Sequence, residues 1–231
     1  MESLLQWFRQ LQFFDLIETL VIVGASLLCI TVHETSHGLA ALWMGDDTAR
    51  RMGRLTLNPM RHVDIMGLIV MAVAKFGWAK AVPVDTRKFH HPKFGMAVTA
   101  LAGPLSNVLL AFIALMVRVP AAVMSIRYGS PYVLNLVITF LEYVAVLSTG
   151  LAVFNLFPIP PLDGSKVVGA LLPMKWYSKL LRFERYGMLL LAGLLFLGIL
   201  DSPLLFLRQV LFEAIVLLPN LLTEFWIRIL L

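Results

Sequence analysis

The chain has 231 residues, of which 59% are hydrophobic and only 14% charged, where an ordinary soluble domain has roughly a quarter of its residues charged. The formal net charge is +5, yet the basic residues lie between apolar runs rather than on one helix or patch, which points to membrane topology and away from nucleic acid. Cys29 is the only cysteine, so neither an intrachain disulfide nor a thiolate zinc cage is available.

Residues 1–15 read as an interfacial helix, with Leu4, Leu5, Trp7, Phe8, Leu11 and Phe14 apolar; Met1-Glu2-Ser3 lacks the basic start of a signal peptide. A spanning helix needs about 20 mostly apolar residues, and 16–44 is the first candidate. It contains His33-Glu34-Thr35-Ser36-His37. On a helix this spacing puts two imidazoles on one face with a carboxylate beside them. Titratable side chains in hydrocarbon are costly, and they mark function by default. The expectation is a zinc hydrolase working within a membrane.

Residues 64–76 are apolar but short for a span, as in a re-entrant or interfacial segment. Gly77 to Val84 are strand-like, which suggests a short hairpin at the membrane surface that packs on protein. Further spans are expected at 95–118, 133–157, 186–200 and 203–219, with Asp201-Ser202-Pro203 as a tight turn and an amphipathic end from Leu221 to Leu231. The fold class is thus an all-α polytopic membrane protein with about five to six transmembrane helices and a short membrane-associated β-hairpin or re-entrant segment. Three units follow in order: the interfacial helix (1–15), a core from 16 to 175, and C-terminal transmembrane helices from 176 to 231.

Charge orients the chain. Arg50, Arg51, Arg54, Arg61, Lys75, Lys80, Arg87, Lys88 and Lys93 lie in the loop 45–94, and Lys166, Lys175, Lys179, Arg182 and Arg185 in the loop 158–185. The opposite loop, about 118–132, holds only Arg118 and Arg127. The positive-inside rule makes both basic loops cytoplasmic, with His33 and His37 in the half of the first span nearer that side.

A catalytic zinc site uses three protein ligands and keeps one position open. His62, His90 and His91 sit in the polar basic loop and read as surface residues. Carboxylates near membrane depth are Glu142, Asp163, Asp201 and Glu213. Glu142 reads as paired or near the outer interface. Asp163 is the strongest candidate, because Pro158, Pro160 and Pro161 break the helix before it, on the same side as the histidines. Irregular backbone at this depth is tolerated where it lines a polar cavity. A helix-capping Asp has the same sequence signature, and both readings stand at this point.

His33-Glu34-x-x-His37, together with Asn155-x-x-Pro158-x-Pro160-x-Leu162-Asp163-Gly164, resembles the site-2 protease family of intramembrane metalloproteases. The blocks Gly53-Arg54-Leu55-Thr56-Leu57-Asn58-Pro59, Phe76 to Val84 and Ala102-Gly103-Pro104-Leu105-Ser106-Asn107 look like its compact prokaryotic branch, which lacks a PDZ domain. The resemblance covers about residues 20–175. It implies zinc held by His33, His37 and Asp163, Glu34 as the catalytic carboxylate, and a place for Gly77–Val84 near the entering substrate. The chain departs from the family at Ala81, where proline is frequent, and at Gly38, where alanine is common.

The implied activity is cleavage of peptide bonds within or near transmembrane segments, as in regulated intramembrane proteolysis. Asn107 and Asn155 are candidates for contacting substrate or an oxyanion, or for hydrogen bonding between helices. Expected partners are single-span membrane-protein substrates and the bilayer, with an adaptor or a second copy of the chain also open. The expected location is the cell (plasma) membrane with the site toward the cytoplasm. The rival readings are a metal transporter, which would need a continuous polar path, and an inactive helix-binding relative.

Overall fold

The computed structural model describes residues 13–64, 66–67, 79–129 and 131–230, and all regular structure among them is helical. The helices are α1 (Phe13–Trp43), α2 (Thr48–Arg51), α3 (Pro92–Tyr128), α4 (Tyr132–Leu156), α5 (Asp163–Leu171), α6 (Met174–Phe196) and α7 (Asp201–Leu230). Short 3-10 turns at Pro59–Arg61 and Thr86–Lys88 punctuate the connection between α2 and α3.

Four helices, α1, α3, α4 and α7, are long and apolar enough to cross a membrane. A shorter apolar stretch, Tyr186–Phe196, lies in α6. Large apolar side chains such as Leu20, Leu109, Val133, Phe206 and Leu217 point outward from these helices. A surface of this kind is a liability in water and matches hydrocarbon. The protein is an all-α membrane protein.

Lipid gives helices no hydrophobic reason to associate, so close packing of small residues and buried hydrogen bonds must do it. The core follows that rule. Ala25 and Cys29 of α1, Ala111 and Ala114 of α3, and Ala145 of α4 pack with Leu115, Val144 and Ile215. Ser148 Oγ donates to Cys29 Sγ at 3.1 Å, which ties α4 to α1. Ile215 belongs to α7, so the C-terminal helix completes the same core. A second apolar cluster, Leu162, Leu191 and Leu200, braces the corner between α4 and α5.

Several boundaries differ from the sequence expectation. The span expected at 95–118 belongs to a helix that runs on through Pro120 to Tyr128, so Arg118 and Arg127 are helical. It stops at Gly129, whose φ of 73° lies in the left-handed region that favours glycine. The turn expected at Asp201-Ser202-Pro203 falls earlier, over Leu197–Leu200 around Gly198 (φ 67°). Pro203 sits in the first turn of α7, where its missing N–H costs nothing. The stretch from Leu221 continues α7 without a break.

Residues 1–12 of the expected interfacial helix lie outside the described residues, and Phe13–Asp15 begin α1. Most of the expected re-entrant and hairpin region, 65 and 68–78, also lies outside them, while 79–85 run without strand pairing among the described residues.

Candidate metal centre

α1 is unbroken from Phe13 to Trp43, so His33 and His37 stand one turn apart on one face. Both are buried, and their rings meet edge to face with centroids 4.6 Å apart. Asp163 arrives from across the sequence. α4 ends at Leu156, the chain turns through the proline-rich stretch, and α5 opens at Asp163. A Cβ on Gly164 would collide with the Leu156 carbonyl, so the glycine lets α5 start tight against the end of α4. The cap position of α5 falls on Leu162, so the Asp163 side chain does not stand at the cap. It turns instead toward the histidines.

His33 Nε2 and His37 Nε2 are 3.0 Å apart, and Asp163 Oδ2 lies 3.2 Å from the first and 3.0 Å from the second. Metal-ligating atoms of the three residues all fall within 4.8 Å of one another. The donor set fits zinc. Bonds of about 2.0–2.1 Å in a tetrahedron place ligand atoms roughly 3.3 Å apart. The hydrogen bonding agrees. His37 Nδ1 donates to the Thr99 carbonyl at 2.6 Å, which leaves a lone pair on Nε2 in the neutral ring. That lone pair then faces a carboxylate oxygen and a second imidazole nitrogen, an arrangement that calls for a cation. A carbonyl or carboxylate behind a ligand imidazole is the usual support of such a site.

Asp163 lies outside the long apolar helices. Burial opposes ionisation of its carboxyl, while the charge of the neighbouring Lys166 favours the ionised form that a metal ligand needs. Lys166 Nζ lies 3.5 Å from Oδ1, the carboxylate oxygen that does not face the histidines.

Gly103 is a member of this site that sequence reading left without a role. A Cβ there would collide with His37 Nε2 and His33 Cε1, so α3 can press on the imidazoles only with glycine at this position. Gly38, the departure from the commoner alanine, has a similar cause. A Cβ would strike Leu55 Cδ2 of the loop that covers α1.

Glu34 points toward the segment 80–84. Its Oε2 accepts the Val82 N–H at 2.9 Å. The segment is held by buried polar side chains. Arg54 Nη2 donates to the carbonyls of Lys80 (2.6 Å) and Ala81 (3.2 Å). The Lys80 N–H donates to the His62 carbonyl at 2.9 Å. Thr35 Oγ1 and His62 Nε2 both donate to the Thr56 carbonyl, each at 2.9 Å. Asp46, fully buried just beyond α1, accepts the backbone N–H groups of Thr48 at 2.9 Å and Asp85 at 2.6 Å.

His62 corrects the expectation of a surface histidine, because it is 1% exposed. The turn capped by Asn58 folds its ring back under the loop. His90 and His91 are exposed as expected. Glu142 pairs with Arg118 at 2.7 Å.

Asn107 is completely buried, and neither its Oδ1 nor its Nδ2 has a partner among the described residues. It lies one turn beyond Gly103 on α3. Asn155 Nδ2 donates to the Leu151 carbonyl at 3.0 Å, a bond within its own helix. Neither asparagine is hydrogen-bonded to His33, His37 or Asp163.

The family model of Peptidase family M50 matches residues 118–200, the part that contains Asp163. The chain is 37% identical over 192 residues to "Putative zinc metalloprotease YwhC" of Bacillus subtilis (strain 168), covering 77% of this chain and 78% of that protein. It is 28% identical over 182 residues to "Putative zinc metalloprotease Rip2" of Mycolicibacterium smegmatis (strain ATCC 700084 / mc(2)155), covering 76% of this chain and 66% of that protein. No solved structure matches the chain.

Proposed function

The chain belongs to peptidase family M50, the site-2 protease family, and is a membrane zinc metalloprotease; from that premise we propose that it is an intramembrane endopeptidase that cuts within or near the transmembrane segments of single-span proteins. One observation carries this reading. His33 Nε2, His37 Nε2 and Asp163 Oδ2 converge beside Glu34 on a helix long enough to cross a membrane.

In this reading His33, His37 and Asp163 hold the zinc, which when bound acts as a Lewis acid and acidifies water. Thr99 keeps His37 in the tautomer that leaves Nε2 free. Glu34 takes the proton from the attacking water and returns it to the leaving amine. Gly103 keeps α3 close enough to wall the site on that side. A substrate helix has its carbonyls already hydrogen-bonded, so it must unwind before attack.

The stretch Gly77–Val84 is the place for the unwound substrate, by β-addition through backbone groups that His62, Arg54 and Glu34 do not occupy. Asn107 suits the oxyanion or substrate role better than Asn155 does. Buried amides without partners are rare, and Asn107 has both polar atoms available while the Asn155 amide is engaged in its own helix. Basic loops place the site toward the cytoplasmic face of the cell membrane. The membrane-crossing set comprises α1, α3, α4 and α7, with the apolar end of α6 as a fifth, short member. Selection of substrates falls to substrate-helix stability, an adaptor or a second copy of the chain.

The test sets wild type against Glu34→Gln, each with zinc and a panel of single-span peptides. Cutting by wild type alone is the expected result. Cutting by both would remove Glu34 from the chemistry. Equal zinc flux through both proteins in vesicles, with no cutting, would replace proteolysis by transport.

A further inference from the structure

We propose that Arg54 is a positioning residue for Glu34, acting through the single peptide unit that joins Ala81 to Val82. The inference deepens the catalytic reading above and rests on Glu34 being the base. The carbonyl of that peptide accepts from Arg54 Nη2 at 3.2 Å, and its N–H donates to Glu34 Oε2 at 2.9 Å. The C=O and N–H of a trans peptide point in opposite directions, so a guanidinium and a carboxylate grip one planar unit from its two ends. The same Nη2 donates to the Lys80 carbonyl at 2.6 Å and so fixes the preceding unit as well.

The charge balance points the same way. Arg54 is 7% exposed, its Nε has no partner, and no ion pair to it occurs among the described residues. A buried cation without an anion is expensive. The anion to which its hydrogen bonds lead is Glu34, one peptide away. A dipole held between opposite charges is strengthened by both.

The surrounding bonds make this a frame and not a chance contact. Thr35, next to Glu34 on α1, donates to the Thr56 carbonyl, which also accepts from His62. His62 in turn accepts the Lys80 N–H. The ring runs from Thr35 through Thr56, His62, Lys80 and Arg54 to Val82 and back to Glu34. The carboxylate orientation is thereby set from outside its own helix. A general base must lie within hydrogen-bond reach of the proton it takes, and a misplacement of about 1 Å can cost on the order of 100-fold in rate.

The experiment uses the full chain in detergent, loaded with zinc, and a single-span peptide that wild type cuts. Arg54→Met and Arg54→Lys are compared with wild type and Glu34→Gln. For Arg54→Met the expected results are unchanged zinc content, KM within about twofold and kcat lowered by roughly 10-fold or more. Arg54→Lys, which keeps a cation without the planar fork, falls between. Peptide affinity, read by fluorescence anisotropy in the Glu34→Gln background, stays the same when Arg54→Met is added.

Wild-type kcat in either Arg54 variant overturns the inference while leaving Glu34 as the base. Loss of peptide affinity in step with kcat/KM also overturns it, because Arg54 would then shape the substrate groove. Cutting by Glu34→Gln overturns the catalytic reading itself. If Arg54→Met does not fold, Arg54→Lys decides, with a kcat loss at unchanged KM as the supporting result.

Discussion

The helical core and the loop frame that covers one end of it are held by opposite means. In the core, Ala25, Ala111, Ala114 and Ala145 let α1, α3 and α4 approach closely, and polar bonds such as Ser148 to Cys29 are few. In the frame, between residues 46 and 91, buried Asp46, Arg54 and His62 and the hydroxyl of Thr35 hold backbone groups of the loop one by one. The core supplies a rigid platform for three converging ligand atoms. The frame holds the Glu34 carboxylate through the Val82 N–H. Damage to the core should therefore strike metal binding and folding, and damage to the frame should strike catalysis or local order.

Asp163→Asn tests the core side with the largest expected effect. It replaces the carboxylate of the proposed third ligand by a neutral amide of the same shape. Zinc measured by elemental analysis should fall toward zero and cleavage should be abolished, with the helical circular dichroism signal retained. Full zinc content in this variant would place the third ligand elsewhere.

Gly103→Ala comes next. Its Cβ has no room beside the imidazoles, and overpacking of this kind costs about 1–3 kcal/mol. A lowered melting temperature and weakened zinc affinity are expected together. Gly193→Ala is the control, because a Cβ there meets nothing within 4 Å. Equal behaviour of the two variants would mean that α3 does not press on the site.

Asp46 sharpens the contrast from the frame side. Burial raises its carboxyl, but hydrogen bonds from Thr48 and the Asp85 backbone, with the Lys88 charge, bring the balance below the usual value. A carboxyl depressed on folding contributes stability that is fully present above its ordinary pKa of about 3.9. That contribution is lost as pH falls through the lower folded value. Hydrogen-exchange protection at residues 79–90, taken relative to the intrinsic rate at each pH, should therefore fall below about pH 4 in wild type. Asp46→Asn should show low protection already at neutral pH, at a cost of about 1–3 kcal/mol to the loop frame, with the core amides unaffected. Faster exchange spread evenly over the chain would erase the distinction between frame and core.

These contrasts mirror what could be read from the residues. His33, Glu34 and His37 were legible because helical spacing alone places them together, and apolar runs mark membrane-crossing helices by length. Gly103 was part of a recognised block, yet nothing in its neighbours tells that two imidazoles lie against it. His62 was misjudged because a histidine in a basic loop looks solvated, and only the turn at Asn58 buries it. The span expected at 95–118 is part of a longer helix, Pro92–Tyr128, because apolar length marks a membrane crossing and not where helical hydrogen bonding stops.

Composition and periodicity alone determined the membrane character, the helical class and the imidazole pair, since each depends on local order along the chain. The ordered motif nominated Asp163, but a capping role had the same signature. Only the tertiary structure shows that its carboxylate lies within 3.2 Å of both rings, the placement on which the proposed ligand role rests. It alone decided that the Val82 N–H reaches Glu34 and that Arg54 reaches the carbonyl of the same peptide unit, because contacts between side chains and the backbone of an irregular segment leave no period in a sequence.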